Sequence, residues 1–188
     1  MKTILLPTAY LAPVSYYTAL NRADEACIEV WEHYVKQTVR NRCVIAGPDG
    51  MIPLSIPVVK PKPGQPIREI RISDHGNWRH LHWRALQSAY GNSPFFEYYE
   101  DDFRPFYQPD WEFLVDYNRD LMKMVCQLLD IEPKVGETQC FQDVPSLSFP
   151  DFNPRSYYQV FAARHGFIPD LSVVDLLFNM GPESVLYL

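Results

Sequence analysis

Tyr34-Val-Lys-Gln-Thr-Val-Arg-Asn-Arg-Cys-Val-Ile45, then Ala46-Gly-Pro-Asp-Gly50, then Met51-Ile-Pro-Leu-Ser-Ile-Pro-Val58, is the stretch that decides the fold. Side chains alternate across a strand, so the first segment, read as extended, places Val35, Val39, Cys43 and Ile45 on one face. Tyr34, Lys36, Thr38, Arg40 and Arg42 fall on the other. Gly47 to Gly50 has the residues of a hairpin turn. The returning strand puts Ile52, Leu54, Ile56 and Val58 toward the core. Pro53 and Pro57 lack N–H groups on the same lateral side, which assigns this strand to a sheet edge.

Working outward, Thr3–Leu6 reads as a strand, Val14–Leu20 as a helix opened by Pro13, and Ala26–Val30 as a second strand. That order is a βαβ unit with an expected right-handed crossover. Lys60 to Pro66 is a Pro-rich loop, and Ile67–Ser73 resumes extended structure. The period then becomes helical. Asn77–Tyr90 carries a stripe of Trp78, Leu81, Ala85, Leu86 and Ala89, and Gly91 can end it. Phe95–Phe106 is a second helix. A third is expected from an N-cap at Asp110 to about Leu129, with Phe113, Tyr117, Leu121, Met124 and Leu128 on one face. Gly136–Pro154 has no period and reads as loop with a short strand. Ser172-Val-Val-Asp175 resembles a capping box, and Gly181-Pro182 stops the last helix. The expected class is therefore α+β: an N-terminal mixed β-sheet (βαβ plus hairpin) packed against helices from the C-terminal half. The 188 residues suit one domain, 1–188.

The composition narrows the function classes. With 47% apolar and 21% charged residues the chain is globular rather than disordered. A net charge of −6 lacks the basic footprint of a nucleic-acid or anionic-membrane binder. Lys2 and Ile4–Leu6 faintly imitate a signal peptide, but Pro7 interrupts the run, and no run approaches a membrane span. The four cysteines are scattered without metal-ligand spacing, as for free thiols in a reducing compartment. The expected location is cytoplasmic.

Tyr34, Lys36, Arg40 and Arg42 form the strongest candidate site. Arginine offers a planar donor fork and lysine a point charge, both suited to phosphate or carboxylate. The alternation alone fits the wet face of a half-buried strand better than a pocket, and acids such as Glu29, Glu32 or Glu69 would turn the cluster into an ion-pair network. Gln37 and Asn41 would share the apolar face, so each needs a hydrogen-bond partner or a bulge. Trp78 and His82 complete the ligand-binding set, Trp78 as a stacking platform and His82 as a base at the pocket wall. Their place in the apolar stripe reads otherwise as core. His80 projects about 160° away from His82, so the pair does not converge on a metal, and none is expected. Glu100-Asp-Asp102 reads as a solvated acidic cluster. Gly-rich phosphate loops and nucleophile elbows do not occur, and no cofactor is indicated.

Four segments together resemble the WbqC-like family: Tyr34 to Arg42; Asn77-Trp78 with His82-Trp-Arg-Ala-Leu86; Tyr90-Gly-Asn-Ser-Pro-Phe-Phe96; and Gly166 to Ser172 with Asp175 to Pro182. The resemblance implies a role in surface-polysaccharide (O-antigen type) biosynthesis. It points to a group transferase acting on an activated sugar or another anionic, phosphate-containing metabolite. The alternative is a non-catalytic ligand-binding or accessory protein. Because the resemblance covers the polar positions of Tyr34–Arg42, it favours a pocket there. Two departures stand out. Leu6-Pro7 replaces the family's Gln-Pro, and the longer Ser- and Gly-rich middle segment of many members is compressed here into Gly136–Pro154.

Overall fold

The computed structural model describes residues 2–144 and 149–188. The βαβ unit forms as β1 (Thr3–Pro7), α1 (Val14–Arg22) and β2 (Glu25–Glu29). β1 and β2 pair in parallel, from Thr3 opposite Glu25 to Pro7 opposite Glu29. The hairpin forms as β3 (Arg42–Gly47) and β4 (Gly50–Ser55), with Arg42 opposite Ser55 and Gly47 opposite Gly50. Gly50 has φ +119, a conformation that costs glycine little. The two units lie in separate sheets. The third place beside β2 goes to β5 (Val135–Glu137), also parallel, giving the order β1-β2-β5. Three parallel strands put their carboxyl ends, Pro7, Glu29 and Glu137, along one edge.

The helices are α2 (Trp78–Tyr90), α3 (Phe96–Phe103), α4 (Leu114–Leu128), α5 (Ala162–His165) and α6 (Val173–Met180). Phe178 of α6 is the centre of an aromatic cluster, with Tyr90, Phe96 and Phe103 rings 5.1–5.3 Å away. Ser172 joins the two sheets. Its N–H donates to Val44 O of β3 at 2.8 Å and its hydroxyl to Leu11 O after β1 at 2.8 Å.

Several local expectations are corrected. Tyr34–Asn41 is a loop rather than a strand, and regular pairing begins only at Arg42. Gln37 sits at φ +60, and Thr38 O accepts the N–H groups of Asn41 and Arg42, so local turn bonds replace ladder bonds. Ile67–Glu69 is a 3-10 turn entered from Pro66. Ile67 and Ile70, both buried, are spaced three apart, a helical and not a strand interval. In α2 the buried face is Trp78, His82, Leu86, Ala89 and Tyr90, while Leu81 is 59% exposed. α4 begins four residues after Asp110, because the chain before it stays extended: Ile72 N–H donates to Glu112 O, and Arg71 bridges to Phe113. No capping box forms at α6. The Ser172 hydroxyl is used by Leu11, and Asp175 accepts from Tyr90 OH (2.9 Å), Tyr157 OH (2.7 Å) and Gln159 Nε2 (2.8 Å). Of Gly136–Pro154, residues 145–148 lie outside the described residues.

Candidate functional site

In open sheets of parallel strands, ligands sit outside the carboxyl ends of the strands, where chains diverge and backbone groups point outward. Here that edge is knitted together. Glu29, fully buried at the end of β2, accepts the N–H of Trp31 at 2.6 Å and that of Gln142 at 2.9 Å. The Thr138 hydroxyl accepts Val30 N–H at 3.2 Å, and Thr138 O accepts the Trp31 indole N–H at 2.9 Å.

Beside this edge, α4 overhangs the short strand β5 and leaves a groove of about 630 Å³, a volume that suits a small ligand. Its floor is apolar, with Ile28, Met122, Cys126 and Ile131 among its residues. Its rim is charged, with Arg119, Lys123, Glu132 and Glu137. Arg119 pairs with Asp116 at 2.7 Å and Glu137 at 3.2 Å, tying α4 to the end of β5. Burial pushes the Cys126 thiol up to about 12 and raises the Tyr16 phenol as well, so neither floor side chain supplies an anionic nucleophile near neutrality.

One end of the groove is built around Asn118, which is 2% exposed. Its amide nitrogen donates to Thr8 Oγ at 3.1 Å and to Arg40 O at 2.8 Å. A carbonyl only accepts, so the Arg40 bond fixes which amide atom is nitrogen. The remaining atom, Oδ1, is buried with no hydrogen-bond partner among the described residues. An unsatisfied buried acceptor costs about 1–3 kcal/mol, which a ligand hydroxyl or N–H can recover.

The residues singled out in the sequence are dispersed. Arg40 does not reach the groove with its side chain. Its Nε and Nη2 grip Glu32 at 2.7 and 2.5 Å, with both side chains largely buried (13% and 10% exposed). Arg42 Nε donates to Ser55 Oγ at 2.7 Å, and its charge opposes the upward push of burial on the half-buried Tyr34 phenol. Lys36 is exposed on the loop. Trp78 and His82 lie together, ring centroids 5.1 Å apart, within the core. The Trp78 indole N–H donates to Ser73 O, and Trp78 also forms the inner wall of a second cleft. His82 Nδ1 lies 3.0 Å from Tyr10 OH, which is 3.1 Å from Tyr107 OH. Burial lowers the His82 pKa to about 4, against a hydrogen bond to the Ser55 backbone that raises it. A neutral, fully bonded imidazole of this kind is a core residue. The structure thus brings Tyr34 to Arg42 and Trp78 to His82, and pairs Arg40 with Glu32.

Asn41 finds one partner, Ile56 O at 2.9 Å, for its amide nitrogen. Asn118 is not among the residues singled out in the sequence. Leu114, Asn118, Leu121 and Val125 are all buried on α4, and an asparagine at that spacing on an apolar stripe is a legible signal.

The comparisons cover the first three of the segments quoted above, and Gly166 to Pro182 lies beyond the family match. The model of the WbqC-like protein family matches residues 8–148. A curated relative, "Uncharacterized protein Rv1507c" of Mycobacterium tuberculosis, is 27% identical, over all of this chain and 97% of that protein. No solved structure matches. No helix among the described residues is long and apolar enough to cross a membrane.

Proposed function

The chain belongs to the WbqC-like protein family, and from that premise we propose that it serves surface-polysaccharide biosynthesis by binding an activated sugar at the carboxyl edge of the parallel sheet. The observation that carries this reading is the unpartnered Asn118 Oδ1 at the end of an apolar-floored groove. A sugar presents hydroxyl donors on its edges and C–H groups on its faces, which match a buried acceptor above Met122 and Ile28. The phosphate-bearing end would lie toward Lys123 on the rim. It would also lie toward the loop that carries Tyr34, Lys36 and Arg42, which borders the Asn118 end through the Arg40 carbonyl. Arg42 keeps its terminal nitrogens free of protein partners among the described residues.

The Cys126 thiol, held protonated by burial, supplies no anionic nucleophile for group transfer in such a site. The same observation favours the second reading, an accessory protein that binds the sugar without transforming it. Native mass spectrometry with uridine-, guanosine- and thymidine-diphosphate sugars at about 1 mM should show a one-to-one complex. Lys123→Glu, an exposed rim change, should weaken it about tenfold. No complex with any of these probes, or an unchanged one in Lys123→Glu, refutes the reading. Slow consumption of the bound sugar on adding an acceptor alcohol separates transferase from accessory protein.

A further inference from the structure

The second cleft lies between the first turn of α2 and the 3-10 turn Arg104–Tyr107 that follows α3, with a volume of about 450 Å³. It contains no residue of the groove. Its cations are Arg79 and Arg104, with His80 beside them, and Asp74 is its only carboxylate.

The two guanidinium groups stand in different states. Arg79 is held firmly, with its side chain 14% exposed, its Cζ 4.8 Å from the centre of the Trp78 ring, and an ion pair to Asp74. Asp74 itself is 81% exposed, so water screens that pair and its contribution is small. The Arg104 side chain is exposed and its guanidinium makes no hydrogen bond or ion pair among the described residues, while its backbone N–H caps α3 on Glu100 O. This is notable in a chain of net charge −6, with Glu100, Asp101 and Asp102 just upstream of it. Glu100 turns instead to Gln87 Nε2 at 3.3 Å. Asn77 makes no capping bond with its side chain, and its amide stays available to the cleft. Behind the cations the wall is aromatic. Half-buried Trp83 lies with its ring centroid 5.4 Å from Tyr107, at 37°.

A concave surface with two arginines, one of them uncompensated, collects anions in proportion to their charge and to how well their oxygens match a planar fork. A solvated surface arginine alone would not be concave, nor backed by a second guanidinium locked on a tryptophan face. We propose that this cleft is a second ligand site, one that takes a phosphate or pyrophosphate group. Arg79 is the fixed donor fork and Arg104 the closing cation. The apolar part of the ligand would rest on Trp83.

Isothermal titration with inorganic pyrophosphate at low salt tests it. The wild type should bind one pyrophosphate per chain, saturating below about 10 mM. Arg104→Gln should weaken binding about tenfold. Asp74→Asn, which removes the cleft's one negative charge and releases Arg79, should tighten it, a gain that a merely structural arginine would not produce. Both side chains are exposed, so melting temperatures without pyrophosphate should match the wild type. No saturable binding up to about 10 mM, or wild-type affinity in Arg104→Gln, overturns the proposal. If Arg104→Gln fails to fold, an Asp74→Asn protein that binds no more tightly than wild type overturns it equally.

Discussion

Acidification from pH 8 to pH 5 should remove about 2 kcal/mol of stability through His82 alone. The imidazole is 5% exposed, has Nδ1 3.0 Å from Tyr10 OH, bonds the Ser55 backbone, and has its pKa lowered to about 4 by burial. In the unfolded chain it titrates near 6.5. The folded pKa is depressed, so as pH falls through 6.5 the unfolded chain takes up the proton first. The contribution is complete above pH 6.5, declines toward pH 4, and is flat below that. From pKa values near 6.5 and 4, the loss is about 2 kcal/mol by pH 5 and about 3.4 kcal/mol at its limit. Asp170 and Asp175, both raised by burial, change stability in the opposite direction over part of this range. A difference experiment removes them. Urea unfolding of wild type and His82→Gln at pH 8, 7, 6 and 5 should give a stability gap that narrows by about 2 kcal/mol as pH falls. A gap constant to within about 0.5 kcal/mol refutes the buried neutral imidazole. So would an NMR titration in which His82 protonates near pH 6.5.

Trp78→Ala should destabilise the fold by about 3–5 kcal/mol, since the side chain is 4% exposed and packs on His82 and Tyr117; chemical denaturation that shows a loss below about 1 kcal/mol would place it outside the core. Glu32→Ala should cost about 3–5 kcal/mol by leaving Arg40 largely buried and unpaired, and Glu32→Gln less, as read from the urea midpoint. Hydrogen exchange at Gly64, in the Pro-rich loop that Lys62 and Gln65 close on itself and that bridges to the rest of the chain at Pro66 and His33, should complete within seconds at neutral pH; protection comparable to β2 would mean that the loop is packed down.

The α+β class, the βαβ unit, the hairpin and the helical C-terminal half are all legible along the chain. Each of these is written in local periodicity: alternation at Cys43 and Ile45, the Gly47–Gly50 turn, and intervals of three and four in α2 and α4. Where that periodicity stops depends on contacts between residues far apart in the chain. Tyr34–Asn41 alternates as a strand should, yet turns, because Thr38 satisfies the backbone locally and Glu32 supplies the carboxylate that draws Arg40 inward. The same holds for the candidate site. Arginines advertise themselves in a sequence, but whether one is free or already paired depends on a residue elsewhere. Asn118 lies more than a hundred residues from Thr8, and its unpartnered oxygen follows from α4 meeting Thr8, just past β1, and the Arg40 carbonyl in the loop before β3. A free valence is a property of the packed interior, and no local pattern encodes it.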